Sequence, residues 1–236
     1  MTILGVESSA VSAGAAVLKD GKIISESYLN VGLTHSETLM TLVDTCLKNA
    51  GLTADGIDAF AVSKGPGSFT GIRIGISAVK GMCFGSGKPV YGISTLEAMA
   101  YGAAAEDVII CPVMDARCNQ VYNALFTFNN KKLTRLCPDR AIKLNELYDE
   151  IKNTDKRILL IGDGSDITKK YFEEQNFANF SVFSEIFKFQ RACGVAFAAF
   201  LRYNEGDSGE TGDALQPAYL RLAQAERERQ QRSEKK

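Results

Sequence analysis

A glycine-rich segment, Lys64–Gly75 (KGPGSFTGIRIG), has the residue types of an anion-binding turn. It follows an apolar stretch typical of a strand and precedes a stretch with helical spacing, so backbone N–H groups and a positive helix end would meet there. The spacing fails the dinucleotide fingerprint, because the third glycine comes one residue late and no acidic residue follows at the expected distance. It also fails the phosphate-loop pattern, because Gly87-Lys88 is followed by Pro89. Neither nucleotide motif is present.

The glycine spacing of the helix that follows needs a separate explanation. Gly71 and Gly75 are one turn apart, and Ala78, Gly81 and Gly85 come after them. Each glycine inside a helix costs about 1 kcal/mol relative to alanine, so several on one face indicate a close approach by another segment. That segment belongs either to the same chain or to a second subunit, and the sequence leaves both interpretations open.

Three acidic side chains lie where predicted strands end. Glu7 closes the first strand, Asp115 closes a strand in the second half, and Asp163 lies in a Gly-Asp-Gly turn. Carboxylates at strand ends that face a cleft suit Mg²⁺ carried on phosphates, which makes these residues candidate nucleotide ligands. Acidic residues are also common as plain turn formers, so weak nucleotide binding and a structural role stay open as alternatives.

His35 is the only histidine of the chain, so catalytic or metal sites that need two or more histidines from this chain are excluded. No Ser-His-Asp or Cys-His arrangement has a sequence signature. A metal site on a helix would need a second ligand one turn later, where Leu39 stands. We therefore expect His35 to lie exposed in the first turn of a helix, without a metal.

The elements that must position these residues occur twice in one order. The first half predicts strands at Ile3–Glu7, Ala13–Leu18 and Ile23–Tyr28, a helix from a capping box at Thr34–Glu37 to Gly51, a strand at Ile57–Ser63 and a helix from Ser68 to Phe84. The second half predicts strands at Val108–Met114, Gln120–Phe128 and near Leu133, a helix at Leu144–Ile151, a strand at Arg157–Ile161, and helices at Asp166–Glu174 and Gln190–Tyr203. This repeat predicts an α/β fold with two similar halves around a cleft.

Composition and charge indicate an ordinary globular protein. The 27 basic and 28 acidic side chains leave a formal net charge of −1, which argues against nucleic-acid binding driven by overall positive charge. Six cysteines without a CxxC pair predict reduced, buried thiols. The N-terminus lacks a signal-peptide pattern, and no apolar stretch approaches the roughly 18–20 residues that cross a bilayer. We expect a cytoplasmic protein without membrane contact.

Five short motifs, in order along the chain, resemble one family. They are THSETL at Thr34–Leu39, GPGSFTGIRIGIS at Gly65–Ser77, GISTLE at Gly92–Glu97, MDAR at Met114–Arg117 and PAYLR at Pro217–Arg221. On these residues the chain is similar to the TsaB (YeaZ-like) family. Those proteins are the dimerisation subunits of the bacterial machinery that makes threonylcarbamoyladenosine at position 37 of tRNA.

The resemblance implies a duplicated actin-like (ASKHA) α/β fold, in which each of two lobes has a mixed sheet flanked by helices. From this resemblance we expect an N-terminal lobe at 1–104 that is joined by 212–222, a C-terminal lobe at 105–211 and a charged tail at 223–236. The resemblance also implies a degenerate paralogue of the catalytic subunit TsaD. That subunit carries a His-x-x-x-His metal pair, whereas here Leu39 replaces the second histidine.

The function implied is a non-catalytic scaffold that binds TsaD, with TsaE, for threonylcarbamoyl transfer to N6 of adenosine 37. The chain would form homodimers in isolation and meet tRNA only through the complex. No cofactor would be required, and ATP or ADP with Mg²⁺ at the interface with partners is left open. The docking surface would lie on the two helices at 34–50 and 68–85, with these contact residues: His35, Leu39, Met40, Val43, Leu47, Phe69, Gly71, Ile72, Gly75, Ala78, Val79 and Met82. Gly75→Leu should then leave the chain folded and abolish TsaD binding.

Two alternatives from other classes stay open. The first is an ATP-dependent phosphotransferase of the ASKHA type, with Glu7 and Asp115 around Mg-ATP. Such enzymes usually carry Asp at the first-strand position, and no substrate-side general base is evident. The second is a metallopeptidase, suggested by kinship with TsaD-like proteins, which lacks metal ligands here.

Overall fold

The computed structural model describes residues 1–221, and the first part of the chain folds into one mixed sheet with helices on both faces. Its elements are β1 (Thr2–Glu7), β2 (Ala13–Lys19), β3 (Lys22–Leu29), α1 (His35–Asn49), β4 (Ala59–Gly65), α2 (Phe69–Cys83), β5 (Val90–Ser94) and α3 (Thr95–Gly102), with a 3-10 turn at Ala54–Gly56. The strands lie in the order β3-β2-β1-β4-β5. Strands β1, β4 and β5 are parallel, β2 is antiparallel to β1, and β3 is antiparallel to β2.

The second part repeats this topology. Its elements are β6 (Val108–Asp115), β7 (Gln120–Asn123), β8 (Phe126–Asn129), β9 (Lys132–Arg135), β10 (Arg140–Lys143), α4 (Leu144–Ile151), β11 (Arg157–Ile161), α5 (Ser165–Glu174), β12 (Phe180–Val182) and α6 (Ala192–Asn204). The order β10-β7-β6-β11-β12 matches that of the first sheet, and the hairpin β8–β9 is an addition that pairs with β6. The predicted duplication is confirmed.

Local sequence explains several boundaries. The β2–β3 turn lies at Asp20 and Gly21, both with positive φ (48° and 81°), as the Asp-Gly hairpin signal predicts. Helix α1 ends before Gly51, which has a φ of 67°. The predicted capping box is wrong, because the Thr34 side chain makes no capping hydrogen bond. The Thr38 hydroxyl instead donates to the Thr34 carbonyl oxygen.

The strand predicted at Gln120–Phe128 is broken into two. Strand β7 pairs with the end of β6, where Asn123 lies opposite Val113, whereas β8 pairs with its middle, where Phe126 lies opposite Ile110. The intervening residues carry the chain from one register to the other. Elements β5, α3, β10 and β12 were not expected, because they are short and lack a clear periodic pattern.

Alternation along the first strand divides the core of the first lobe. Leu4 and Val6 face the cluster that contains α1 and α2, while Ile3 faces the cluster formed by α3 and α6. Because α6 packs on the first sheet, the predicted boundary of the second lobe at 211 is too late. Leu215 also lies in the core of the first lobe, and the predicted tail at 223–236 lies outside the described residues.

All six cysteines are free thiols, but they differ in burial. Cys46, Cys83 and Cys111 are buried as expected, whereas Cys118 is exposed, so the expectation of buried thiols is wrong for that residue. Across residues 1–221 no helix is both long and apolar enough to span a bilayer.

Candidate functional site

The glycine-rich segment packs against the loop between β1 and β2 of its own chain. A methyl group at Gly71 would lie 2.1 Å from the Ser8 carbonyl oxygen, and one at Gly75 would lie 2.4 Å from Ser8 Oγ. The Ser8 hydroxyl donates to the Gly71 carbonyl oxygen over 2.9 Å. Of the two interpretations left open by the sequence, packing within the chain is the one that these glycines serve.

Two backbone N–H groups of the turn, which could otherwise bind an anion, already donate hydrogen bonds within the chain. The Ser68 N–H donates to the Ser9 carbonyl oxygen at 2.6 Å, and the Gly71 N–H donates to Ser68 Oγ at 3.2 Å. A side chain at Gly67 would also meet the Ser9 carbonyl oxygen, 2.2 Å from its first carbon. Oxygens of the protein therefore take positions that a phosphate would need, in keeping with the failure of both nucleotide fingerprints.

Glu7 is buried at the end of β1 and does not line the cleft between the lobes. Its carboxylate accepts hydrogen bonds from the Ser9 N–H and hydroxyl, each at 2.6 Å, and a short one from the Ser63 hydroxyl. Burial raises the pKa of Glu7, and these hydrogen bonds lower it by a smaller amount. As a predicted nucleotide or Mg²⁺ ligand Glu7 is thus misplaced, because its oxygens are engaged inside the protein.

Asp115 and Asp163 do meet in the cleft, which has a volume of about 590 Å³. Asp115 accepts the Arg117 N–H at 2.7 Å, and Asp163 accepts from Gln190 Nε2 at 2.7 Å. Burial, with a small contribution from the nearby Asp115 charge, raises the pKa of Asp163. Within residues 1–221 no group of three His, Cys, Asp or Glu side chains could hold a metal ion. With Glu7 turned inward, Asp115 and Asp163 are the two of the three candidate carboxylates that line the cleft.

His35 fastens the β1–β2 loop to the start of α1. Its Nε2 lies 2.7 Å from the Ala10 carbonyl oxygen, so this nitrogen carries the proton and donates. The side chain is half-buried, which corrects the expectation of an exposed histidine. A histidine tied to its own loop in this way has a structural role and is a weak candidate for contact with a partner.

The inner face of the α1–α2 pair belongs to the core of the first lobe. It holds seven of the predicted contact residues, three on α1 and four on α2: Leu39, Val43, Leu47, Gly71, Ile72, Gly75 and Val79. These residues are buried within the subunit, so as partner contacts they are wrong. The error has a physical cause, since apolar spacing marks the buried face of a helix whatever covers it.

The outer face of the pair is only partly buried, and its Ile74, Ala78 and Met82 pack against the core of the first lobe while keeping some exposure. It comprises Met40 on α1, which is 49% exposed, and on α2 the half-buried Ile74, Ala78 and Met82 with the exposed Ser77 and Gly81. Ile74, Ala78 and Met82 follow one another at four-residue spacing and form a continuous apolar stripe. Ile74, Ser77 and Gly81 are not among the predicted contact residues, although their spacing, offset from the buried Ile72, Ile76 and Val79, is present in the sequence.

Comparison with known proteins assigns the chain to a family. Residues 30–229 match the family model described as "TsaD: tRNA N6-adenosine threonylcarbamoyltransferase". A curated relative, the tRNA threonylcarbamoyladenosine biosynthesis protein TsaB of Bacillus subtilis, is 30% identical over 228 residues, which cover 96% of each chain.

Solved structures agree on the fold. An uncharacterized Pseudomonas aeruginosa protein with similarity to peptidase YeaZ superposes with a TM-score of 0.76 at 22% identity, covering 93% of this chain and 99% of that one. Component A of the (R)-2-hydroxyglutaryl-CoA dehydratase of Acidaminococcus fermentans superposes with a TM-score of 0.53 at 11% identity, covering 86% and 99%. The predicted actin-like (ASKHA) fold is thereby confirmed. The chain belongs to the TsaD family and, within it, to the TsaB (YeaZ-like) proteins.

Proposed function

We propose that this chain is a non-catalytic accessory subunit in the biosynthesis of threonylcarbamoyladenosine in tRNA. It would act by docking onto a TsaD-type partner through the outer face of α1 and α2. The observation that carries the proposal is the apolar stripe of Ile74, Ala78 and Met82, which borders the buried face of α2, packs against the core of the first lobe and yet remains partly exposed.

The outer face has the properties of a helix-packing surface. Ser77 and Gly81 are small and exposed beside the apolar stripe, so a partner helix could approach to the 8–10 Å that is usual between packed helices. Nothing among the described residues lies within 4 Å of a methyl group at Gly81, so that position is free to receive a partner side chain. Met40 on α1, which is 49% exposed, would offer further apolar area.

The same surface would serve self-association. A second copy presents an identical outer face, and a two-fold axis between two such faces gives a closed dimer. Homodimer and heterodimer would then compete for one surface. TsaE would join this complex in the cytoplasm, and tRNA would be held mainly by the partners, since the formal net charge of this chain is only −1.

The chemistry of the candidate residues supports the non-catalytic part of the proposal. The Glu7 carboxylate accepts hydrogen bonds from Ser9 and Ser63, and His35 Nε2 donates to the Ala10 carbonyl oxygen, so these groups are already engaged within the chain. Leu39 stands where the catalytic paralogue has a second metal-binding histidine, and it is buried. Neither a nucleotide nor a metal is needed for a docking role.

Reconstitution with the cognate TsaD and TsaE tests this proposal. Modification of tRNA, followed by mass spectrometry of nucleosides, should require this chain and should persist when Asp115→Asn and Asp163→Asn are combined. Activity that is lost in the double variant while TsaD binding stays unchanged would contradict the accessory role and favour the phosphotransferase alternative. Omission of the chain without loss of modification would also overturn it.

A further inference from the structure

The segment after Leu215 runs along the cleft from the first lobe towards the second. Its first contact is with the end of β4, where the Ala218 N–H donates to the Lys64 carbonyl oxygen at 2.7 Å. A side chain at Gly65 would lie 2.5 Å from the Ala218 carbonyl oxygen, so the segment occupies the space that this glycine leaves. Glycine at position 65, the first of the glycine-rich motif, therefore leaves the room that this segment needs.

The second contact is an aromatic stack on the first turn of α2. The Tyr219 ring lies 4.5 Å from the Phe69 ring at an interplanar angle of 25°. Arg73 completes the cluster, because its guanidinium lies 3.8 Å from the centre of Phe69 and its Nε donates to the Tyr219 hydroxyl at 2.7 Å. Three groups in mutual contact hold the segment against the helix more firmly than a single hydrogen bond would.

The third contact reaches the other lobe. The Arg221 guanidinium donates a short hydrogen bond to the carbonyl oxygen of Ala116, which follows Asp115 at the end of β6. A hydrogen bond from a charged donor is stronger than one between neutral groups. Ala218, Tyr219, Leu220 and Arg221 all line the cleft, and between them they contact both of its walls.

We propose that Ala218–Arg221 is a strap that joins the start of α2 to the β6–β7 loop and restrains the cleft between the lobes. Tyr219 holds the strap to the first lobe by stacking on Phe69, and Arg221 holds it to the second lobe by its hydrogen bond to Ala116. The strap is a property of the isolated chain. It meets the proposed docking function at one point only, because Phe69 and Arg73 lie on a helix that also carries the outer face.

Hydrogen–deuterium exchange on the full chain tests the strap. The amides of Ala116 and Gln120 are hydrogen-bonded within the β6–β7 loop and report its opening. Arg221→Ala and Tyr219→Ala should each speed exchange in peptides covering residues 114–121 by roughly fivefold, the factor expected for one lost hydrogen bond in a local opening equilibrium. Tyr219→Phe keeps the stack but loses the hydrogen bond from Arg73, so exchange there should rise less than in Tyr219→Ala.

Tyr203→Ala removes an exposed tyrosine elsewhere and should leave residues 114–121 unchanged, since its side chain does not line the cleft. Unchanged exchange at 114–121 in folded Arg221→Ala would overturn the strap, and so would a change confined to residues 64–73 in Tyr219→Ala. If Tyr219→Ala does not fold, Arg221→Ala decides alone. Because no partner is present, failure here leaves the docking proposal standing, and failure of docking leaves the strap standing.

Discussion

Helix α2 uses small residues on both of its faces, but for different purposes. On the inner face Gly71 and Gly75 admit Ser8 at distances that no side chain would allow. On the outer face Gly81 has open space around it within the described structure. A glycine that is required for folding and one that is free for a partner therefore look alike in the sequence. Only the position of the β1–β2 loop separates the two.

The largest expected effect is that of a bulky residue on the inner face. Gly75→Leu would push a side chain into Ser8 Oγ and against Val62 Cγ2, which would lie 2.4 and 3.3 Å from its first carbon. We expect a loss of about 3 kcal/mol or more in the free energy of unfolding, a large share of the total stability of a domain. The sequence-based expectation that this variant stays folded is thus replaced by the expectation of a strongly destabilised fold. Urea denaturation followed by circular dichroism measures the change.

The matched variant on the outer face is Gly81→Leu. With nothing within 4 Å among residues 1–221, leucine fits there and should stabilise the helix by up to about 1 kcal/mol. If Gly75→Leu proves as stable as Gly81→Leu, the distinction between the two faces is lost.

A smaller effect, on the pH dependence of stability, is expected at Glu7, next to the β1–β2 loop that packs on the inner face. Burial raises the pKa of Glu7, so the folded state favours the protonated carboxyl group. The stability that this group contributes is fully present below its unfolded pKa and is lost as the pH rises through the raised folded pKa. Glu7→Gln removes that titration, and we expect the urea midpoint to vary less with pH than in the unsubstituted protein. A pH profile identical in the two proteins would contradict a buried, titrating Glu7.

Much of the fold is predictable from the sequence because it depends on local patterns. The Asp20-Gly21 turn, the stop at Gly51 and the apolar period of each helix suffice for the repeated element order. The position of α6 is not predictable in this way, because its alanine-rich faces would pack equally well on either sheet. Its place on the first lobe follows from close contact with Gly5, where a side chain would clash with Ala196.

The site is less predictable than the fold. Glu7 and Asp115 both end a strand, yet one is buried against Ser63 and the other lies in the cleft. Ser63 is distant in sequence, so no local pattern distinguishes the two carboxylates. Helix α2 is apolar on both faces, which explains why buried and exposed positions were grouped into one predicted docking surface.

The outer face is proposed to bind TsaD, whereas the inner face belongs to the core of the first lobe. The most direct test is the affinity of purified TsaD for Gly81→Arg and Met40→Glu, measured by titration calorimetry. Leu136→Glu serves as the control, because this residue is 50% exposed and lies in the other lobe, outside the outer face. We predict a loss of about 100-fold or more for the first two variants, as for central contacts of protein interfaces, and an unchanged affinity for the control. Equal affinity for all three folded variants would contradict docking through the outer face.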